Sequence, residues 1–103
     1  MGAAIFIHGE HGKDAKEAFY RAQEKAAYDH GHSGYTGTIA EKDSFVMIPL
    51  PAGKKPEEYV NELLDNQDDR IDDKWGPAGC LDLGKSKQVP TDNHYLFFGW
   101  ASC

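Results

Sequence analysis

Tyr95, Leu96, Phe97, Phe98 and Trp100 fall within six consecutive positions near the end of this chain. Side chains alternate between the two faces of a strand, so an extended segment here is apolar on both sides. Such a strand has to lie inside a sheet that is covered on both faces. His94 to Ala101 is therefore predicted as an inner strand, and the rest of the chain has to supply its cover.

Ala3 to His8 is a short apolar run that reads as a strand, followed by a turn over Gly9–Gly12. From Lys13 to His30 the period is helical: Ala15, Ala18, Phe19, Ala22 and Ala26 form one stripe, with Tyr28 at its edge. Glu17 and Arg21 are spaced to pair on the wet side, and Gly31 is placed to end the helix. Thr36–Ala40 and Phe45–Leu50 read as the arms of a β-hairpin around the polar turn Glu41–Ser44. Pro49 and Pro51 end that second arm and deny it a central position there. Pro56, with Glu57 and Glu58 behind it, opens a second helix. Tyr59, Val60, Leu63 and Leu64 give this helix a buried face, and it fades near Gln67. Cys80–Leu83 reads as one more short strand.

This order predicts a single α+β domain over residues 1–103. It has a mainly antiparallel sheet of four or five strands and two helices, the longer one crossing a face of the sheet. A chain of 103 residues buries roughly two-thirds of its unfolded surface, enough for one modest core without metal or disulfide support.

The net charge of −6 argues against direct nucleic-acid binding driven by phosphate neutralisation. It suits a partner that is itself basic. Cys80 and Cys103 are too few for a disulfide framework, and the first residues carry neither a basic leader nor a cleavage site. No run approaches the ~18 apolar residues of a membrane span. The expectation is a cytoplasmic protein with reduced thiols, no membrane contact and no cofactor.

Residues 30–38 hold three glycines at a three-residue step, two histidines and four hydroxyl side chains. Glycine lets backbone N–H groups approach a partner closely. His32, Ser33, Gly34, Tyr35, Thr36, Gly37 and Thr38 are therefore candidate residues for binding a small polar or phosphorylated ligand, or a partner. The alternative is structural, with Gly31 capping the helix and Gly34 and Gly37 setting turn dihedrals before the hairpin. His8-x-x-His11 and His30-x-His32 have the spacing of metal-ligand pairs. The helix between them, at about 1.5 Å per residue, would hold them ~25 Å apart, and no metal is assigned. The turn at His8–Gly12 lacks a phosphate-loop ending, and Glu10 would repel an anion.

Between Glu57 and Asp73 there are eight carboxylates and one base, Arg70, a local charge of −7. Either this is a solvated face or it docks on a basic groove, through Asp68, Asp69, Asp72 and Asp73. Trp75 follows after Lys74; it either anchors that interface or caps the edge of the core, the latter being favoured. No nucleophile stands out. Ser33, Ser44, Ser86 and Ser102 lack an elbow motif, and Cys80 reads as core.

Three segments carry a resemblance: Gly34-Tyr35-Thr36-Gly37-Thr38-Ile39-Ala40-Glu41-Lys42, Asp72-Asp73-Lys74-Trp75-Gly76-Pro77-Ala78-Gly79 and Leu96-Phe97-Phe98-Gly99-Trp100-Ala101-Ser102. Through them, residues 28–103 resemble small hypothetical proteins of bacteriophage genomes. The resemblance implies a setting rather than a reaction: a phage accessory protein acting in a bacterial host, where small acidic domains often bind and block host machinery.

The leading expectation is a non-enzymatic binding protein. It would bind or block a host or phage macromolecule, as an inhibitor of host defence does, or sequester a small polar ligand. The alternative is a small enzyme acting on a phosphorylated or nucleotide-like substrate through His32, Tyr35, Thr38 or Glu41. A structural or oligomerising module is the third reading.

Overall fold

A computed structural model describes residues 2–30, 37–87 and 89–102. The elements run β1 (Ala3–Gly12), α1 (Ala15–His30), a single 3-10 turn (Ile39–Glu41), β2 (Phe45–Met47), α2 (Pro56–Asp65), β3 (Ala78–Lys85) and β4 (Asn93–Ser102). The strands form one four-stranded sheet in the order β1-β4-β3-β2. β4 pairs antiparallel with both β1 and β3, while β2 pairs parallel with β3. The domain is α+β, as expected from the sequence, with a mixed and mainly antiparallel sheet.

β4 occupies the inner position that its two-sided pattern demands. Tyr95, Phe97 and Ala101 face the core under α1, together with Phe6, Ala18, Phe19, Ala22 and Ala26. The rings of Phe19, Phe45 and Phe97 meet there at centroid distances of 5.0, 5.6 and 5.8 Å. Phe98, on the other face, packs with Val60, Leu63 and Leu64 of α2 and with Ile48, Ile71 and Leu81. Tyr28 is left out of the α1 stripe, being 91% exposed. No helix among the described residues is long and apolar enough to cross a membrane.

Two local expectations are corrected. Gly9–Gly12 is not a turn: β1 continues through it, with Glu10, His11 and Gly12 opposite Tyr95, His94 and Asn93. β4 is long enough to pair with these residues, and the missing side chain of Gly12 admits α1. A Cβ there would stand 2.6 Å from the Ala18 nitrogen. Nor is there a hairpin across residues 41–44. The Thr38 hydroxyl caps the Ala40 N–H at 3.3 Å, and Lys42 N–H donates to the Ile39 carbonyl at 3.0 Å. These bonds close a 3-10 turn where an arm was expected. Phe45–Met47 pairs instead with β3 and forms the sheet edge, and Pro49 lies beyond its end.

Candidate docking surface

The 3-10 turn positions the side chain that organises this surface. Gln23 of α1 donates to the Lys42 carbonyl, and at 3.5 Å to that of Ile39. Lys42 is thereby held with its side chain running inward, 2% exposed. Its ammonium donates to the carbonyl oxygens of Asp73 (3.2 Å), Lys74 (3.2 Å) and Gly76 (3.0 Å). Three donors meet three acceptors, which is what a buried ammonium requires. Burial pushes its pKa below the usual lysine value, and the nearby Asp73 carboxylate opposes that shift.

The loop that Lys42 holds has further bonds of its own. Gly76 N–H donates to the Asp73 carbonyl at 2.9 Å, and Trp75 N–H to the Asp73 carboxylate at 2.9 Å. On its outer side Trp75 is 61% exposed, with the Lys74 ammonium 5.5 Å from the ring centre. The expected role of Trp75 at the edge of the core is therefore corrected. Ile71, four residues earlier and buried, closes that edge.

The loop sits beside the start of β1, where Lys74 Nζ donates to the Gly2 carbonyl at 3.4 Å. A depression of about 270 Å³ lies next to it, with Ala3, Asp72, Lys74 and Trp100 among its walls. Ile5 stands opposite Trp100 across the β1–β4 pair. Ile5 and Ile7 are each about half exposed, on the face whose other half α2 covers. An apolar strip thus adjoins the Trp75 loop.

The four aspartates divide. Asp68 is held by Arg70 through two side-chain bonds of 2.8 and 2.9 Å. Those bonds, with one from the Arg70 N–H, bring its carboxyl down to about 2. Asp73 is occupied in fixing the loop. Asp69 and Asp72 are exposed and make no ion pair among the described residues. The arrangement is an aromatic and aliphatic patch with an acidic rim, the anatomy of a protein interface.

His32, Ser33, Gly34, Tyr35 and Thr36 lie outside the described residues. Gly37 and Thr38 have structural tasks. The buried Gly37 N–H donates to the Ser102 carbonyl at 2.7 Å with φ at 70°, and Thr38 caps the 3-10 turn. Cys80 is fully buried, and burial, with Asp82 nearby, pushes its thiol up to about 12. Among the described residues no group of three or more His, Cys, Asp or Glu side chains could hold a metal ion.

Lys42 is the residue that sequence reasoning missed. It sits in a run of polar residues, Glu41–Ser44, indistinguishable from a solvated turn. Comparison with family models, with curated proteins and with solved structures finds no match to this chain.

Proposed function

We propose that this chain is a non-enzymatic binding protein that docks on a macromolecule with a basic surface. Trp75 is its anchor, Ile5, Ile7 and Trp100 its apolar contact, and Asp69 and Asp72 its steering charges. One observation carries the reading: the buried Lys42 ammonium bonded to three carbonyls of the Trp75 loop. Burying a charge is costly, and here it fixes a loop whose outward side chain is an exposed tryptophan. A loop ordered in advance loses little entropy on binding, and tryptophan is the side chain most often found at the energetic centre of an interface. In the phage setting implied by the resemblance, the partner is a host or phage complex in the bacterial cytoplasm. Covering its basic groove blocks it.

The test is retention of partners by the immobilised chain at low and high salt. Native chain should retain a partner that salt releases. Trp75→Ala should weaken that binding about thirtyfold or more, and Asp69→Lys with Asp72→Lys should remove its salt dependence. Retention of the same partner with equal strength by all three proteins, each with a native circular dichroism spectrum, refutes the proposal.

A further inference from the structure

The end of the sheet remote from the Trp75 loop holds a second cleft. β1 ends there, β4 begins and β3 finishes, about 30 Å from the start of β1 at roughly 3.3 Å per residue. The cleft has a volume of about 580 Å³, within the usual range of small-molecule sites. In a chain with 17 acidic and 11 basic residues, its lining reverses the balance: Lys25, Lys85 and Lys87 stand against Glu10 and Glu57, and His11 and His94 add two imidazoles.

Two carboxylates at this end already have partners, while the exposed Glu57 on the α2 side makes no ion pair among the described residues. Glu10, with its side chain 2% exposed, lies 2.9 Å from Lys25 Nζ and 3.3 Å from His8 Nε2. Burial alone would raise its pKa, but the hydrogen bonds from Lys25 and His8 outweigh that and keep the carboxyl below its usual range. Asp92 is bonded to His11 Nδ1 at 2.8 Å and Arg21 Nη1 at 3.3 Å. These pairs fix the His11 ring. Lys85 and Lys87 face no carboxylate at ion-pair distance among the described residues.

Backbone geometry places these lysines. The β3–β4 ladder shifts register between Asp82 and Lys85, with Gly84 at φ 84° and its N–H held by the Asp82 carboxylate at 2.8 Å. Irregularities of this kind re-aim side chains and cluster beside functional sites. The following loop is tied by Ser86 N–H to the Asp92 carbonyl at 2.9 Å and Val89 N–H to the Ser86 hydroxyl at 3.2 Å. Across the cleft, Gly9 makes room for His94. A Cβ on Gly9 would stand 3.0 Å from His94 Nε2.

We infer that this cleft binds a small phosphorylated molecule of sugar-phosphate to mononucleotide size, its phosphate between Lys85 and Lys87 and its body over Leu83 and the His94 ring. Ammonium groups bind phosphate as point charges, and the volume exceeds what an inorganic ion needs. The site is separate from the docking surface, so each can fail without the other.

The test is a titration of the full chain, followed by amide NMR, with ribose 5-phosphate, inorganic phosphate and ribose as probes. Ribose 5-phosphate should give saturable shifts centred on Gly9, Lys85 and His94, tighter than inorganic phosphate, while ribose gives none. Lys85→Gln with Lys87→Gln, both at exposed positions, should weaken ribose 5-phosphate about tenfold or more and leave the spectrum elsewhere unchanged. The inference is overturned by absence of saturation, by shifts centred on another surface, by equal binding of ribose, or by undiminished affinity in the double variant.

Discussion

Lys42 Nζ lies 3.0 Å from the Gly76 carbonyl oxygen, a bond between residues 34 positions apart that ties a turn beside α1 to the loop carrying Trp75. Replacing the ammonium with a methyl-ended chain takes this donor from the Lys74 and Gly76 carbonyls, while the Asp73 carbonyl keeps the Gly76 N–H. Lys42→Met should cost about 3 kcal/mol, since each unsatisfied buried acceptor is worth roughly 1–3. Urea denaturation measures the loss. In a Trp100→Phe background, the anisotropy of Trp75 fluorescence should fall as the loop is released. A stable variant with unchanged anisotropy would show that the loop holds itself.

Such a relationship is hard to see in a sequence, whereas the sheet's centre is not. Tyr95–Trp100 announces a strand covered on both sides, and Ala18, Phe19, Ala22 and Ala26 announce the helix that covers one of them, because both signals are periodic and local. The pattern ends β1 four residues early because Gly9, Glu10, His11 and Gly12 have turn composition. Their extended conformation depends on β4, more than 80 residues away. The hairpin pattern points β2 to the wrong neighbour for the same reason: a parallel pairing with β3 leaves no mark on the residues between Ala40 and Phe45. The acidic half of the docking surface was legible as a charge run. Lys42 was not, because burial of a lysine is decided by carbonyls 31 to 34 residues further on.

Acid stability should depend on Glu10 and Asp92. The Glu10 carboxyl is desolvated, but hydrogen bonds from Lys25 and His8 more than compensate; at Asp92 the bond to His11 dominates, with Arg21 assisting. Both pKa values lie below those of the unfolded chain. Their stabilisation is therefore complete above the ordinary carboxylate values near 4 and is lost as pH falls through the folded values. Native protein should lose stability steeply below about pH 4. Glu10→Gln with Asp92→Asn should be less stable at pH 7 and show a flatter acid limb. Denaturation midpoints from pH 7 to pH 2 check this, and parallel limbs would remove these two groups from the acid response. Asp68, held at about 2 by Arg70, keeps a residual slope in the variant.

Cys80 should be chemically silent in the folded protein. Burial raises its thiol to about 12, with a further push from Asp82, so almost no thiolate exists at pH 8. In a Cys103→Ser background, alkylation by iodoacetamide should follow global unfolding and accelerate with urea in step with the loss of structure. Labelling within minutes in the absence of urea would mean that β3 opens locally.

Gly9 and Gly12 lie on the same strand but should respond differently to alanine. A Cβ on Gly12 would stand 2.6 Å from the Ala18 nitrogen and 3.0 Å from the Asp14 carbonyl, both backbone atoms at the start of α1. Neither can yield without moving the helix, so Gly12→Ala should destabilise by about 2 kcal/mol. A Cβ on Gly9 meets the tip of the His94 ring at 3.0 Å, and a side chain on the exposed rim can swing aside. Gly9→Ala should therefore leave the urea midpoint nearly unchanged while shifting the His94 imidazole resonances and narrowing the cleft. Equal destabilisation by the two substitutions would mean that His94 is held as firmly as a helix backbone.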